Sequence, residues 1–331
     1  SLVGEVAESW EASPDARIWT LKLRGGLQYH SGKIVTAEDV IASLNHHRGE
    51  DSKSAAKPIV AGITEMKADG SNVVITLESG NADFPFILSD YHLPIMPSSE
   101  GKIDPTSSDG CGGYIVESFE PGVRATLKRN PNYWKAGRAH FDEIEMLVVI
   151  DAAARQNALI TGEVDAIDQV DRNTVHLLKR ARNVKVLATT GTQHYTFAMD
   201  TRVAPFNDNH VRLALKYAID RQELVDKVLN GYGSVGNDHP IGSSQRYHAS
   251  NLEQRSYDPD KAKFHLKQAG MDSLDVSLSA ADAAFGGAVD AAVLYSEKAA
   301  AAGININVVR EPNDGYWSNV WMKKPWSAVY W

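Results

Sequence analysis

The stretch from Met199 to Gly233, MDTRVAPFNDNHVRLALKYAIDRQELVDKVLNGYG, carries the clearest pattern of secondary structure in the sequence. It predicts the end of a strand, an extended link and two helices. Because a proline disfavours helix at the residue before it, Pro205 favours an extended Thr201–Phe206. Apolar residues then recur at steps of three and four, which indicates one buried helix face. That face consists of Val211, Ala214, Leu215, Ala218 and Ile219.

Capping residues mark the helix boundaries in this stretch. Asn207 or Asp208 can cap the first helix. Asp220, with Glu223 three residues later, resembles a capping box and starts a second helix. Gly231 stands where a left-handed residue would end that helix. The stretch therefore predicts two packed helices that follow a strand.

Length and charge restrict the class of protein. A chain of 331 residues predicts two or more domains. The formal net charge of −8, without any block rich in Lys and Arg, argues against a nucleic-acid-binding protein, because such proteins present a basic face. No apolar run reaches the length of about 18 residues that a membrane span needs. No signal peptide is recognisable, so an exported protein after processing and a cytoplasmic protein both remain open.

Residues 1–110 predict a small α+β unit. Thr36 is a good cap for a helix that begins with acidic residues. The runs Ile63–Lys67 and Val73–Leu77 predict a hairpin that turns at Asp69-Gly70. The polar segment Ser98–Asp109, rich in Ser, Pro and Asp, is typical of a linker.

A glycine-rich loop, Gly110–Tyr114, follows the predicted linker. Three glycines in four positions indicate unusual backbone dihedral angles or a close approach of two backbones. Two interpretations remain open for this loop: a tight turn, or a hinge or ligand-facing loop.

Strands and helices alternate in the second half, which predicts an α/β architecture. The earlier predicted elements are strands Glu143–Val149, Val164–Ile167, Val184–Ala188 and Tyr195–Met199 and helices Ala152–Ile160 and Thr174–Arg182. The later ones are helix 259–270, strand Leu274–Ser279, helix Ala288–Ala302, strand Ile304–Val309, helix Gly315–Met322 and strand Ser327–Trp331. This later order predicts a second, parallel and doubly wound sheet.

Motifs for catalysis or cofactor binding lack their required context. Gly231–Gly236 matches GxGxxG, but it follows a helix and opens a loop, unlike a dinucleotide site. Ser54–Lys57 matches SxxK without the partner motifs of the serine acyl enzymes. His46 and His47 are adjacent, so a polar helix end is favoured over a metal site. We therefore expect no enzymatic activity, no cofactor and no metal.

Aromatic residues near loops carry a further signal. They are core residues or the lining of a pocket, and both interpretations remain open. The group consists of Tyr91, Tyr133, Trp134, Tyr195, Trp317, Trp321, Trp326, Tyr330 and Trp331. Gln193, His194 and Tyr195 stand just before a predicted buried strand, and ligand sites of α/β proteins form at strand ends.

Several stretches together resemble the family 5 extracellular solute-binding proteins, the peptide- and nickel-type receptors of ABC importers. Pro205–Asp208 with the two helices after it is one of them, and Gly110–Tyr114 stands where the family usually has GTGPY. The other stretches are Ala7–Trp10, Trp19–Arg24, Thr36–Val40, Leu127–Trp134, Gly162–Asp165 and Tyr257–Ala262. Cys111 and Gly113 depart from the family pattern by replacing its Thr and Pro.

The resemblance implies an α/β, two-lobed, periplasmic-binding-protein-like fold of type II with an accessory α+β subdomain. It assigns residues 1–110 to the accessory subdomain of lobe I, residues 111–200 to part of lobe I, and residues 201–331 to part of lobe II. Thr201–Phe206 becomes a candidate hinge. We expect the chain to be incomplete at both ends, since Ser327–Trp331 is an apolar strand rather than a polar terminus.

The function that the resemblance implies is capture of a small polar solute, a peptide or peptide-like compound, by closure of the lobes, and delivery to the membrane permease of an ABC transporter. We expect a periplasmic or lipid-anchored monomer that binds no nucleic acid. Two alternatives remain open: a ligand-sensing domain of a transcription regulator, and a receptor for an opine, a nickel complex or an oligosaccharide.

The resemblance also suggests residues that line the cleft. The candidates are Asp90, Tyr91, His92, Cys111, Gly112, Gln193, His194, Tyr195, Tyr330 and Trp331. In peptide-binding relatives, an Asp that pairs with the ligand's amino group follows a segment resembling Val329–Trp331, and its counterpart is not in this sequence.

Overall fold

A computed structural model describes residues 2–189, 191–243 and 245–331. Contacts divide the chain into two compact units, Ser1–Val148 and Val149–Trp331. This boundary differs from the predicted boundaries at residues 110 and 200, and the assignment of segments to lobes stays a prediction.

The first part of unit 1 contains an antiparallel sheet with strand order β1-β2-β4-β3. The elements are β1 (Ala7–Ala12), β2 (Ile18–Leu23), α1 (Ala37–His46), α2 (Lys57–Val60), β3 (Ile63–Asp69), β4 (Asn72–Leu77) and α3 (Phe84–Ile87). The predicted hairpin is confirmed as β3 and β4. Apolar side chains that alternate along β2, such as Leu21 and Leu23, pack with Val40 and Leu44 of α1 in one buried cluster.

A buried carboxylate ties the start of α1 to a distant segment. Thr36 and Asp39 form the capping box that satisfies the first backbone N–H groups of the helix. Asp39 Oδ1 also accepts hydrogen bonds from the backbone N–H and the hydroxyl of Ser98, both at 2.7 Å. Lys33 pairs with the same carboxylate.

The segment Ser98–Asp109 was predicted to be a linker, and that prediction is wrong at its start. Strands β5 (Ser98–Ser99) and β6 (Lys102–Ile103) form a short hairpin there. The physical reason is the buried Asp39, which needs the Ser98 donors to offset its loss of water.

The last sheet of unit 1 is an antiparallel meander of β7 (Tyr114–Glu120), β8 (Arg124–Arg129) and β9 (Glu143–Leu147). In the glycine-rich loop before β7 only Gly113 is closely packed among the three glycines, since a Cβ atom there would lie 3.2 Å from the ring of Tyr133. Neither Gly110 nor Gly112 has a positive φ, so the predicted unusual dihedral angles are absent at these described residues.

Unit 2 contains a mixed sheet with strand order β10-β13-β11-β12. Its elements are α4 (Ala152–Thr161), α5 (Val175–Leu178), β10 (Tyr195–Met199), α6 (Asn209–Tyr217), α7 (Arg221–Lys227), α8 (Pro259–Gln268), β11 (Leu274–Ala280), α9 (Ala288–Ala300), β12 (Ile304–Arg310), α10 (Tyr316–Asn319) and β13 (Trp326–Tyr330). β11 runs parallel to β12 and β13, as predicted. β10 adds an antiparallel edge strand.

The helix pair that begins at residue 209 forms as predicted. Asp208 caps α6 and Asp220 caps α7. Gly231 adopts a left-handed conformation with φ of 75°. The apolar face of α6 enters a large buried cluster, in which Ala214 and Leu215 are fully buried with the helices and strands of the sheet.

Three local predictions in unit 2 are wrong. Val164–Ile167 and Val184–Ala188 form no strand among the described residues, because a strand needs a neighbour to take up its hydrogen bonds and neither segment has one there. Thr201–Phe206 is a series of turns rather than an extended link. The backbone N–H of Asn207 donates to the carbonyl of Val203 at 3.0 Å, which turns the chain back before α6.

Candidate functional site

The candidate site in unit 2 lies at one edge of its sheet. β11, β12 and β13 run parallel, so their carboxyl ends share an edge. The antiparallel β10 begins at that edge, where Tyr195 pairs in register with Tyr330 at the end of β13. Ligands of open α/β sheets bind outside the carboxyl ends of the strands, so this edge is where a solute is expected.

Tyr195 is held in a fixed orientation by two neighbours that sequence reasoning missed. Its ring stacks on Phe285, with ring centroids 4.2 Å apart and planes 9° from parallel. A guanidinium N–H of Arg172 donates to its hydroxyl at 2.6 Å. The stack and the hydrogen bond fix both ends of the phenol side chain.

The predicted residues at the ends of β10 and β13 come together. The backbone groups of His194 and Trp331 exchange two hydrogen bonds, each at 3.0 Å, which continue the pairing beyond the strands. Tyr330 meets Trp317 edge-on, with centroids 5.3 Å apart, and Trp331 meets Trp321 in the same way at 5.2 Å. Tyr330 and Trp331 are 44% and 60% exposed. Gln193 lies next to it and is exposed.

Buried and partly buried hydrogen bonds hold β11 and β13 in place near the same edge. The hydroxyl of Tyr316 donates to the carbonyl of Ala328 in β13 at 2.7 Å. Burial, and after it the nearby Glu311 carboxylate, raises the pKa of Tyr316 to about 12, so the hydroxyl stays a donor. Glu311 in turn accepts a hydrogen bond of 2.8 Å from the Ser279 hydroxyl at the end of β11. These hydrogen bonds fix the positions of the strand ends.

The predicted residues of unit 1 fall in two places. Asp90 and His92 form a self-contained turn, in which Asp90 Oδ1 accepts from the His92 backbone at 2.9 Å and is 2.8 Å from His92 Nδ1. These hydrogen bonds from His92, the backbone one first, hold the pKa of the Asp90 carboxyl below its usual value. Tyr91 is 85% exposed, and its ring lies over that of His92.

Cys111 and Gly112 have structural partners of their own. Cys111 packs on a small apolar cluster of Leu27, Tyr29 and Val35, and burial raises the pKa of its thiol. The carbonyl of Gly112 is 3.0 Å from His30 Nε2 and accepts from Asn130 Nδ2 at the same distance. Both lone pairs of this carbonyl are therefore engaged, and a role of these residues in ligand binding stays a prediction.

Sequence signals for the missed residues differ. Phe285 follows the carboxyl end of β11, so the strand-end rule would have selected it. Arg172 lies in a polar stretch between α4 and α5, where no periodicity distinguishes it from its neighbours. Only the three-dimensional contact with Tyr195 identifies Arg172.

No helix among the described residues has the length and the apolar character to cross a membrane. In the same residues, no group of three or more His, Cys, Asp and Glu side chains is arranged to hold a metal ion.

Two curated relatives show how the chain compares with known proteins. It is 28% identical over 292 residues to heme-binding protein A of Haemophilus influenzae, covering 80% of this chain and 53% of that protein. It is 26% identical over 274 residues to glutathione-binding protein GsiB of Pectobacterium atrosepticum, covering 81% of this chain and 53% of that protein. The chain thus spans about half the length of the curated relatives it matches.

Solved structures share the fold over almost the whole chain. The binding protein AgaA from A. tumefaciens R10, in complex with agropinic acid, superposes with a TM-score of 0.88 at 25% identity, covering 98% of this chain and 67% of that one. The periplasmic binding protein DppA from Helicobacter pylori, in complex with the peptide STSA, superposes with a TM-score of 0.86 at 22% identity. That superposition covers 99% of this chain and 69% of DppA. The predicted periplasmic-binding-protein-like fold is confirmed.

The sequence profile described as "Bacterial extracellular solute-binding proteins, family 5 Middle" matches residues 1–331. Because that match extends over all 331 residues, the chain belongs to the family 5 bacterial extracellular solute-binding proteins.

Proposed function

We propose that the protein is the substrate-binding component of an ABC importer, which captures a small polar solute and delivers it to a membrane permease. It acts outside the cytoplasm, in the periplasm or anchored to the outer side of the cell membrane by a lipid. It binds its solute and performs no chemistry on it.

One observation carries this proposal. Several aromatic side chains lie at the carboxyl edge of the parallel strands, and the guanidinium of Arg172, the polar anchor, lies beside them. Phe285, itself buried, fixes the ring of Tyr195. The partly exposed Tyr330 gives an apolar surface, and Arg172 gives a directed donor. Binding sites for small molecules combine these two features: apolar area that contributes free energy, and a few polar groups that fix orientation.

Peptide or peptide-like solutes fit the site best. Such a solute carries a charged end, amide groups and side chains, which suit a mixed aromatic and polar edge. The glutathione-binding protein GsiB and the complex of DppA with the peptide STSA support the same class. Asp90, Tyr91, His92, Cys111, Gly112, Gln193, His194, Tyr195, Tyr330 and Trp331 remain the proposed contacts.

An opine is the second candidate. The observation that favours it is the likeness to the complex of AgaA with agropinic acid, at 25% identity and a TM-score of 0.88. An opine resembles a peptide in carrying carboxylates, so the same polar anchor would serve both.

The experiment uses the full-length protein, freed of bound solute by partial unfolding and dialysis. Thermal melting is measured with di- and tripeptides, glutathione, opines, nickel–histidine complexes and haem. A true ligand stabilises by RT ln(1 + [L]/Kd), about 2.7 kcal/mol at a concentration of 100 Kd. We expect peptides or opines to raise the melting temperature and to be recovered unchanged. Failure of every compound to stabilise, or conversion of the solute to product, would contradict the proposal.

A further inference from the structure

A second feature of unit 2 concerns charge. A cavity of about 240 Å³ opens between the segment around α5 and the turn that follows α7. Arg172, Lys179 and the imidazole of His176 line it on the α5 side. Asn230 and Tyr232 line it on the other side, and no carboxylate is among the described lining residues.

Neutral groups hold the two cations in place. Arg172 donates to the Tyr195 hydroxyl at 2.6 Å. The ammonium of Lys179 hydrogen-bonds to the Tyr232 hydroxyl. A phenol orients a cation without cancelling its charge, so both side chains keep their positive charge available for another partner.

The nearest acidic neighbour in sequence is already engaged. Asp171 Oδ1 accepts from the backbone N–H of Asn173 at 2.9 Å, whereas the Thr174 hydroxyl donates to Gln156 Oε1 at 2.8 Å. Its carboxylate therefore serves the turn before α5. A pocket with two oriented cations is distinctive in a chain whose formal net charge is −8.

The two sides of the cavity meet through polar contacts. Asn230 Nδ2 donates to Asn173 Oδ1 at 2.9 Å, and Lys179 reaches Tyr232 across the same gap. Val175 and Leu178 of α5 are buried, at 8% and 1% exposure, although neither belongs to the two large buried clusters among the described residues. A cavity whose two sides are joined by polar contacts can admit a small polar group more readily than a close-packed apolar interface can.

We propose that this cavity binds an anionic oxygen group, a carboxylate or a phosphate, carried by the solute. The proposal rests on the solute-binding function and specifies the class of solute as acidic. Arg172 connects the cavity to the sheet edge, because its guanidinium contacts Tyr195 and also lines the cavity. One group of the solute then lies against the aromatic edge while its anionic group lies between Arg172 and Lys179.

The test uses small probes, so that it does not depend on knowing the solute. Titration calorimetry on the full-length protein compares glutarate with glutaramide, its uncharged analogue of similar shape, and adds inorganic phosphate. We expect glutarate or phosphate to bind at least about tenfold more tightly than glutaramide, since hydrogen bonds to charged groups contribute more than neutral ones. The tighter of the two anions tells a carboxylate site from a phosphate site.

Variants locate the site. Arg172→Gln and Lys179→Gln should each weaken binding of the preferred anion about tenfold. Arg182→Gln, which removes an exposed cation of the same segment, should leave it unchanged. Circular dichroism checks that each variant is folded, and Lys179→Gln still decides the question if Arg172→Gln does not fold.

The proposal is overturned if the wild type binds neither anion, if it binds glutarate and glutaramide equally, or if Arg182→Gln weakens binding as much as the two pocket variants. Its failure is distinct from failure of the solute-binding function. Loss of that function would appear as no stabilisation by any solute of the library while anion binding persists. Failure of the pocket alone would appear as stabilisation by solutes without any effect of Lys179→Gln.

Discussion

Tyr195 and Phe285 lie face to face, with ring centroids 4.2 Å apart and planes 9° from parallel. Tyr195 begins β10 and Phe285 follows β11, and β13 lies between these two strands in the sheet. The contact therefore passes over the end of β13, next to Tyr330. It makes the sheet edge a fixed surface before any solute arrives.

Removal of the stacked ring should destabilise unit 2. Phe285 is only 8% exposed, so Phe285→Ala should lower the free energy of unfolding by about 3–5 kcal/mol, as is usual for a buried Phe. Phe285→Leu keeps most of the apolar volume and should cost much less. Urea unfolding measures both. Equal effects of the two substitutions would contradict a role for the ring in packing.

The hydroxyl of Tyr316 should contribute separately. Tyr316→Phe leaves the carbonyl of Ala328 without its 2.7 Å donor in a buried position. We expect a loss of about 1–3 kcal/mol, the penalty for an unsatisfied buried polar group. Thermal unfolding of the variant beside the wild type measures it. An unchanged stability would mean that water replaces the hydroxyl at this carbonyl.

Asp39 should make the stability of unit 1 sensitive to acid. Burial acts to raise the pKa of its carboxyl, but hydrogen bonds from Lys33 and Ser98 outweigh burial and hold the pKa below its usual value. The folded state therefore binds a proton less readily than the unfolded chain. This contribution is present above the unfolded pKa of about 3.9 and is lost as the pH falls through the lower, folded pKa.

Asp39→Asn tests that contribution. At pH 7 the variant should lose about 3 kcal/mol, near the low end for breaking a buried ion pair, because the Lys33 side chain is 40% exposed. Its stability should also fall less than that of the wild type between pH 5 and pH 3. Acid unfolding curves that are parallel for the two proteins would refute the assignment.

His265, which lies between α6 and α8, should make the stability of unit 2 depend on pH. Its Nδ1 lies 3.1 Å from Nδ1 of His210, and its ring is stacked on Tyr217. Burial first, then the nearness of His210 and Lys261, lowers the pKa of His265. The unfolded chain therefore takes up a proton first, and stability should fall as the pH drops through about 6.5, the usual value for His.

The measurement compares melting temperatures at pH 8 and pH 5.5. The difference in melting temperature between pH 8 and pH 5.5 should be smaller for His265→Gln than for the wild type. The control His140→Gln changes an exposed histidine of unit 1 and should keep the wild-type difference. The assignment fails if His265→Gln keeps the full wild-type difference.

Local signals in the sequence predict most of the helices and strands correctly. The caps Thr36, Asp208 and Asp220 all accept the expected backbone hydrogen bonds, because a cap interacts with residues two or three positions away. The order of strands and helices after residue 258 likewise predicts the parallel part of the sheet.

Predictions fail where a contact links distant parts of the chain. The polar neighbours of Ser98 predict a linker, although the hydrogen bonds of Ser98 go to Asp39. No local pattern identifies Arg172, because its partner, Tyr195, lies 23 residues further along the chain. The site is thus predicted in part: the strand ends follow from the pattern of elements, whereas the side chains that orient them depend on packing.

The affinity of the full-length protein for its solute tests the central claim most directly. The solute that co-purifies with the protein is identified by mass spectrometry, and its Kd is measured for the wild type, Tyr330→Ala and Tyr247→Ala. Tyr330 lies at the sheet edge, whereas Tyr247 is an exposed tyrosine in the loop between α7 and α8. We predict that Tyr330→Ala raises the Kd at least about tenfold, a loss of about 1.4 kcal/mol, and that Tyr247→Ala leaves it unchanged. An equal Kd for all three proteins would contradict the assignment of the solute site to this edge.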